Sequence, residues 1–339
     1  MRIYRSLEEV PADFGPSALT IGNFDGVHTG HRSILRRVKQ IAAARGWKPS
    51  ALMFDPHPAH VVAPQRAPRL MTPPTRRAAL MATEGIEQVL ILPFTTDVAR
   101  LTPEQFARQI VAGRLGARAV LVGDNFRFGH DHAGNVDTLR ELGRRLGFET
   151  EIVRAVARRG RAVSSSAIRA LIESGRVALA ARWLERHYAL EGEVTAGRGI
   201  GSRHTVPTLN LSTAAELIPR TGVYVTRTHD LDTPRAWDSV TNVGYRPTFG
   251  DSTQLTIETF LLEPPAGSSA AHFRRVPLAG ARGTQVLEPG GAESAHPSRR
   301  RRGPALFCAH AALDPAPARA GTRVRCFPFA FCLAACPSS

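Results

Sequence analysis

ALTIGNFDGVHTGHRSILRRVKQIAAARG, residues 18–46, reads as one strand, one glycine-rich loop and one helix. Ala18, Leu19, Thr20 and Ile21 form a short apolar run. Ile34, Leu35, Val38, Ile41 and Ala42 then recur at helical spacing before Gly46, where a C-cap belongs. The loop between them therefore ends on a helix N-terminus, where unpaired backbone N–H groups and the positive end of the helix dipole receive phosphate. His28 and His31 stand three residues apart at that point with Gly30 between them, so two imidazoles can face one phosphate group. Such a pair by itself also fits a surface or metal-type arrangement. The glycine-rich frame favours the phosphate reading, and with it the handling of a nucleoside triphosphate.

Outward from this unit the same pattern repeats. Apolar runs at 51–54, 89–92 and 119–123 alternate with helical patterns, such as 103–115 with Phe106, Ile110 and Val111 on one face. From residue 20 to about 153 the alternation predicts an α/β fold, a Rossmann-like, doubly wound parallel sheet. Ligands in that architecture bind beyond the carboxyl ends of the strands. Two segments fall there. Asp55-Pro56-His57-Pro58 reads either as a turn set by two prolines or as part of the site. In GDNFRFG, 123–129, Phe126 and Phe128 plug the core while Asn125 and Arg127 point the other way, toward the site. A third element is Ser164-Ser165-Ser166-Ala167-Ile168-Arg169, preceded by Arg161. Serines at a helix start are N-caps, and the same geometry binds phosphate, with Arg169 able to grip oxygens bidentately.

The chain of 339 residues has room for two domains, each with its own core. No run of 18 apolar residues occurs and the N-terminus lacks a signal-peptide core, so a soluble, cytoplasmic protein without membrane partners is expected. Cys308, Cys326, Cys332 and Cys336 all lie near the end and none shows CxxC spacing. The net charge of +15 invites a nucleic-acid reading, yet residues 264–339 hold ten arginines against three acidic residues and so carry much of it. Lys39 and Lys48 are the only lysines, a bias that points to a GC-rich gene rather than to a binding chemistry.

Taken together, HTGH, GDNFRFG and SSSAIR, in this order, resemble the FMN adenylyltransferase module of bacterial bifunctional riboflavin kinase/FAD synthetases over residues 15–187. The resemblance implies FMN and ATP as substrates, FAD and pyrophosphate as products, and Mg²⁺ as helper. It implies that His28, Gly30 and His31 stabilise the ATP phosphates during attack at the α-phosphorus, with Asn125 also catalytic. Gly22, Asn23, Phe24, Asp55, Arg127, Arg161, Ser164, Ser165, Ser166 and Arg169 would bind ATP and flavin, Ser166 standing where the family usually has threonine. No GxxxxGK[ST] loop occurs, which removes a P-loop enzyme.

From His187 the texture changes to short alternating segments at 190–195, 222–226, 237–243 and 255–262, as in a small antiparallel barrel. GRGIGSRHTVPTLN, 197–210, reads either as a glycine-rich hairpin with a proline exit or, with TNVGYRPTFG at 241–250 and TIETFLL at 256–262, as a match to the riboflavin kinase family. That resemblance implies that Gly201, Pro207, Thr208 and Asn210 bind ATP, that Thr208 and Asn210 hold Mg²⁺, and that Glu258 is general base toward riboflavin. The expected domains are thus 1–187 adenylyltransferase, 188–263 a truncated kinase-like barrel, and 264–339 an unstructured tail.

The tail holds ten prolines and the cluster Ser298-Arg299-Arg300-Arg301-Arg302. It reads as a nucleic-acid patch, as a solvated disordered segment, or as the product of a frameshift. Reading one nucleotide forward through residues 278–301 with permitted codons gives WRVREERKFSSPEALKAHILRDV, which resembles the C-terminal strand and helix of the kinase family. A frameshift between about Glu263 and Leu278 is the expectation, with FAD synthesis kept and riboflavin phosphorylation weak. The competing readings are another HxGH nucleotidyltransferase, acting on a pantetheine phosphate, a nicotinamide nucleotide or a cytidylyl acceptor, and a basic nucleic-acid-binding protein. The PTxN-bearing second domain argues against the first, and the lack of aromatic interleaving in a basic stripe against the second.

Overall fold

The computed structural model describes residues 1–158, 160–195, 208–230, 235–247, 253–262 and 278–280. All of them belong to a unit spanning Met1–Glu288, distinct from Pro289–Ser339.

Six strands, β1 (Arg2–Tyr4), β2 (Ser17–Ile21), β3 (Lys48–Asp55), β4 (Gln88–Pro93), β5 (Ala117–Gly123) and β6 (Glu149–Val153), form a sheet in the order β1-β4-β3-β2-β5-β6. Every pairing is parallel, as the alternation predicts. Helices α1 (Thr29–Arg45), α2 (Pro58–Val62), α3 (Pro74–Thr83), α4 (Thr96–Arg100), α5 (Pro103–Gln105, continuing as π-helical turns through Phe106–Arg114) and α6 (Val136–Leu146) connect them. All five residues of β2 are buried, which is why a short apolar run marks it. Its side chains alternate between two cores. Ala18 packs with Leu35, Val38 and Ala42 of α1 and with Ala78 and Met81 of α3. Leu19 and Ile21 face Phe106, Ile110, Leu139 and Leu142 on the opposite side.

β2 has β3 on one side and β5 on the other, so the chain reverses its direction of travel across the sheet at this strand. The crevice at such a reversal lies outside the carboxyl ends of the two central strands. Those ends are Ile21 and Gly123, from which GNFDGVHTGH and GDNFRFG depart. The fold thus brings the two loops side by side, although about a hundred residues separate them. Gly46 closes α1 with a left-handed φ of 65° and its N–H bonded to the Ala42 carbonyl, a cap that costs a glycine nothing.

A hairpin of β7 (Ala157–Arg158) and β8 (Arg161–Ala162) leads into α7 (Ser165–Glu173) and α8 (Val177–Leu184). The second sheet follows: β9 (Ala189–Leu190), β10 (Glu193–Thr195), β11 (Thr208–Ser212), β12 (Gly222–His229), β13 (Ala236–Pro247), β14 (Thr253–Leu261) and β15 (Leu278–Gly280). Its order is β10-β11-β14-β13-β12-β15-β9, antiparallel throughout. Only Glu191 and Gly192 lie between the two terminal strands, so the sheet nearly closes on itself as a barrel. β15 pairs with β12 and β9 and lies beyond residue 263, so the strand pairing runs further than the boundary read from the sequence.

Inside the barrel, hydroxyls form a buried ladder: Thr259 to Thr241, Thr241 to Thr226, Thr226 to Ser239, and Ser239 to Thr228, each at 2.8–2.9 Å. Each buried hydroxyl is satisfied by its neighbour, which removes the cost of desolvating it. The barrel shares a core with α7 and α8, where Ile168, Leu171, Ala180 and Leu184 pack with Leu190, Leu217 and Ile257. Tyr188, at the junction, donates its hydroxyl to the Leu217 carbonyl at 2.6 Å.

Candidate active site

His28 is the N-cap of α1, with extended backbone (φ −77°, ψ 175°), and its Nδ1 accepts from the N–H of His31 at 3.4 Å. A neutral imidazole that accepts at Nδ1 carries its proton on Nε2, so this bond assigns the tautomer. The ring stacks on His31 with 3.7 Å between centroids and 16° between planes, and Phe24 meets His31 edge-on at 5.2 Å. Gly30 permits the stack. A Cβ there would stand 3.1 Å from His28 Cε1 and 3.2 Å from Nδ1.

Both rings are poor bases. Burial pulls His28 down to about 4, outweighing the opposite pull of Asp25. Burial also takes His31 well below its usual value, helped by the adjacent His28 and by Arg186 and Arg169. Its Nδ1 is buried with no hydrogen-bond partner among the described residues. Two neutral imidazoles at a helix N-terminus offer N–H donors to an anion without a neutralising charge of their own.

The loop that carries them is strained. Phe24 (φ 51°) and Val27 (φ 37°) are left-handed, at a cost on the order of 1–3 kcal/mol each. Three anchors hold it. Asp25, buried, accepts from Met71 N–H (3.0 Å), Thr72 N–H (3.1 Å) and Thr72 Oγ1 (3.2 Å), and from Arg169 Nη2 (2.9 Å) and Nε (3.2 Å). Ser165 Oγ donates to the Asp25 carbonyl at 2.9 Å. Arg186, lowered to about 10 by burial, donates to the carbonyls of Gly26 (2.6 Å) and Val27 (3.3 Å).

Arg77 is wholly buried and donates from Nη1 to the Asn23 carbonyl at 2.7 Å. Its Nε and Nη2 have no partner among the described residues. The Asn23 amide touches His57 Nε2 at 2.9 Å while His57 Nδ1 accepts from Ala59 N–H at 3.2 Å. A neutral His57, lowered to about 4 mainly by burial, can satisfy both contacts when the Asn23 amide oxygen faces it. Gly22 and Asn23 are half-buried at the loop's start, and Asp55 is half-buried at the end of β3. Phe24 belongs to the core that includes α1.

Ser164 caps α7, accepting from Ala167 N–H at 3.3 Å, while Ser166 and Arg161 are exposed. In the loop after β5, Phe128 is buried and Phe126 packs beside it, and Asn125 and Arg127 are exposed. Arg169, whose sequence position suggested phosphate, directs two donors at Asp25. Asp25, Thr72, Arg77 and Arg186 are contributors that the sequence reading did not single out. The FD of GNFDG and the buried arginines carry no periodic signal.

In the barrel, register places Asn210 opposite Glu258 and Glu258 opposite Asn242, so the three share one face of the sheet across β11, β14 and β13. Thr208, two residues before Asn210, lies on that face too. Gly201 and Pro207 lie outside the described residues, as do all four cysteines and the arginine cluster.

Residues 10–167 match the FAD synthetase family and residues 184–277 the riboflavin kinase family. A Pseudomonas fluorescens protein named bifunctional riboflavin kinase/FMN adenylyltransferase is 33% identical over 263 residues, 78% of this chain and 84% of the relative. The chain belongs to the bifunctional riboflavin kinase/FMN adenylyltransferase family. An Escherichia coli K12 relative of the same name is 31% identical over 258 residues, 76% of this chain and 82% of the relative. A solved structure, a macrolide-efflux protein from Streptococcus pneumoniae, superposes with a TM-score of 0.72 at 21% identity, covering 86% of this chain and 94% of its own, and shares the fold. The kinase-family match ends at residue 277, past the boundary at 263 read from the sequence.

Proposed function

We propose that the parallel domain makes FAD at the His28–His31 loop. An oxygen of the FMN phosphate attacks the α-phosphorus of ATP, the bond from that phosphorus to the β-phosphate oxygen breaks, and pyrophosphate leaves with its electron pair. The nucleophile is already anionic, so no covalent enzyme intermediate is needed. Neutral His28 would donate from Nε2 and His31 from its N–H to phosphate oxygens as charge builds on them, with the α1 dipole adding to the effect. The observation that carries this reading is the stacked, neutral pair at the sheet's reversal point. Gly22, Asn23, Asp55 and the exposed Asn125, Arg127, Arg161 and Ser166 would line the nucleotide and flavin pockets. Pyrophosphate release from ATP by the purified chain, titrated with FMN against other phosphate acceptors, tests it.

The barrel is the riboflavin kinase part, with Glu258 as base toward the riboflavin hydroxyl and Thr208 and Asn210 beside the ATP phosphates. Hydroxyl, amide and carboxylate oxygens are the hard donors that Mg²⁺ takes, one carboxylate plus nucleotide phosphates being a usual set. Thr208 and Asn210 would hold the ion, which supplies charge neutralisation at the transferred phosphate. A frameshift between about Glu263 and Leu278 would replace the family's last strand and helix, and riboflavin phosphorylation would then be weak. Resequencing codons 263–280 and assaying riboflavin phosphorylation test both parts. Substrates of this kind, with no helix among the described residues long and apolar enough to cross a membrane, support a cytoplasmic enzyme.

A further inference from the structure

We infer that Asp25 and Arg169 form a positioning pair for adenylyl transfer, in which Arg169 serves the reaction by holding Asp25 and not by gripping the ATP phosphates. The inference rests on the reading of His28 and His31 as the groups at the reacting phosphate.

Arg169 comes from α7, 144 residues after Asp25. Its Nε and Nη2 form one edge of the guanidinium fork, and both donate to Asp25 Oδ2, at 3.2 and 2.9 Å. An arginine can grip phosphate through that edge or through the Nη1/Nη2 end. Here the first is occupied and the Arg169 side chain is only 13% exposed, so at most the Nη1 end is left for a ligand. Asp25 is in turn saturated: Thr72 N–H and Oγ1 fill Oδ1, Arg169 fills Oδ2, and Met71 N–H lies 3.0 and 3.1 Å from the two. A carboxylate with about four acceptor sites has nothing left to offer a substrate or a metal.

Asp25 stands in the strained stretch between Phe24 (φ 51°) and Val27 (φ 37°), and both ends of that stretch reach the histidines. Phe24 sets the edge of His31, and the chain reaches His28 three residues after Asp25. The Ser165 hydroxyl on the Asp25 carbonyl ties the same residue to the start of α7. Release of the carboxylate therefore lets the loop relax and the imidazoles move, and a displacement of about 1 Å costs about a hundredfold in rate.

The test is steady-state FAD formation, with thermal unfolding alongside, for the wild type and for Asp25→Asn, Arg169→Gln, their double and Thr72→Val. The expected result is that either single variant lowers kcat about a hundredfold with the KM for ATP within about twofold, and that the double falls no further than the worse single. Arg169→Gln with a KM for ATP raised about tenfold at wild-type kcat would overturn the inference, as would losses that multiply in the double. Thr72→Val leaves the buried charges intact and removes two contacts of the anchor, the Oγ1 donor to Asp25 and the acceptor of the Gly26 N–H. It decides the matter if Asp25→Asn fails to fold: a smaller fall in kcat at unchanged KM supports positioning through the anchored Asp25–Gly26 stretch, and wild-type kcat overturns it. His28→Ala is the control for the underlying reading, because unchanged activity there would remove the histidines from the chemistry whatever Asp25 does.

Discussion

The imidazoles of His28 and His31 lie nearly parallel, 3.7 Å apart, on the first turn of α1, and the Nδ1 of the first accepts the backbone N–H of the second. Neither ring can become charged cheaply, because each would carry its charge into a buried site against the other. A pair so placed is an uncharged double donor at neutral pH.

The rate of FAD synthesis follows from that. With His28 at about 4, kcat/KM for ATP should hold a plateau from pH 8 down through 6.5 and decline only as the pH approaches about 4. Initial-rate pH profiles of the wild type and of His28→Ala check this: the substrate phosphates titrate at about 6 in both, and a limb near 6.5 present only in the wild type would count against a neutral pair.

Stability should move the other way from a salt-bridged histidine. The unfolded chain takes up protons at His28 and His57 near 6.5, whereas the folded chain takes them up only near 4. Between those values the unfolded state binds more protons, so the contribution is complete above 6.5 and is lost as pH falls through the window toward 4. Urea midpoints measured at pH 7.5, 6, 5 and 4.5 should fall in that order.

Gly30→Ala should impair the chemistry more than the fold. The new Cβ meets His28 at 3.1–3.2 Å, and the cheapest relief is rotation of the ring away from the phosphate site. A fall in kcat of about a hundredfold is expected, with little change in melting temperature because alanine favours a helix.

Removal of residues 289–339 should leave FAD synthesis unchanged, since every element around the histidines lies in Met1–Glu288. Riboflavin phosphorylation should be weak before and after the cut, and Glu258→Gln should abolish what remains. Product analysis with riboflavin and with FMN as separate substrates distinguishes the two activities.

Much of the parallel domain was legible because strands buried on both faces, such as Ser17–Ile21, read as unbroken apolar runs, and because the α1 C-cap at Gly46 needs glycine. The reversal point at β2 follows from the strand order and placed HTGH beside GDNFRFG. What escaped notice was long-range: the Asp25–Arg169 pair spans 144 residues, and Arg77 is a charged residue wholly inside a core. Local pattern has no means of showing either. Phe24, in the middle of the motif, joins the core that includes α1 and at the same time meets His31 edge-on, a double placement that spacing does not show. In the barrel, Asn210 and Glu258 were named from separate motifs, and only strand register shows Asn242 beside them.

The loop near the amino terminus is anchored by Ser165, Arg169 and Arg186, all supplied by chain made much later. On the ribosome, then, the HTGH loop lacks these anchors until α7 and α8 have left the exit tunnel. A prematurely terminated chain of 150 residues would carry the whole HTGH motif without any of the three side chains that anchor its loop.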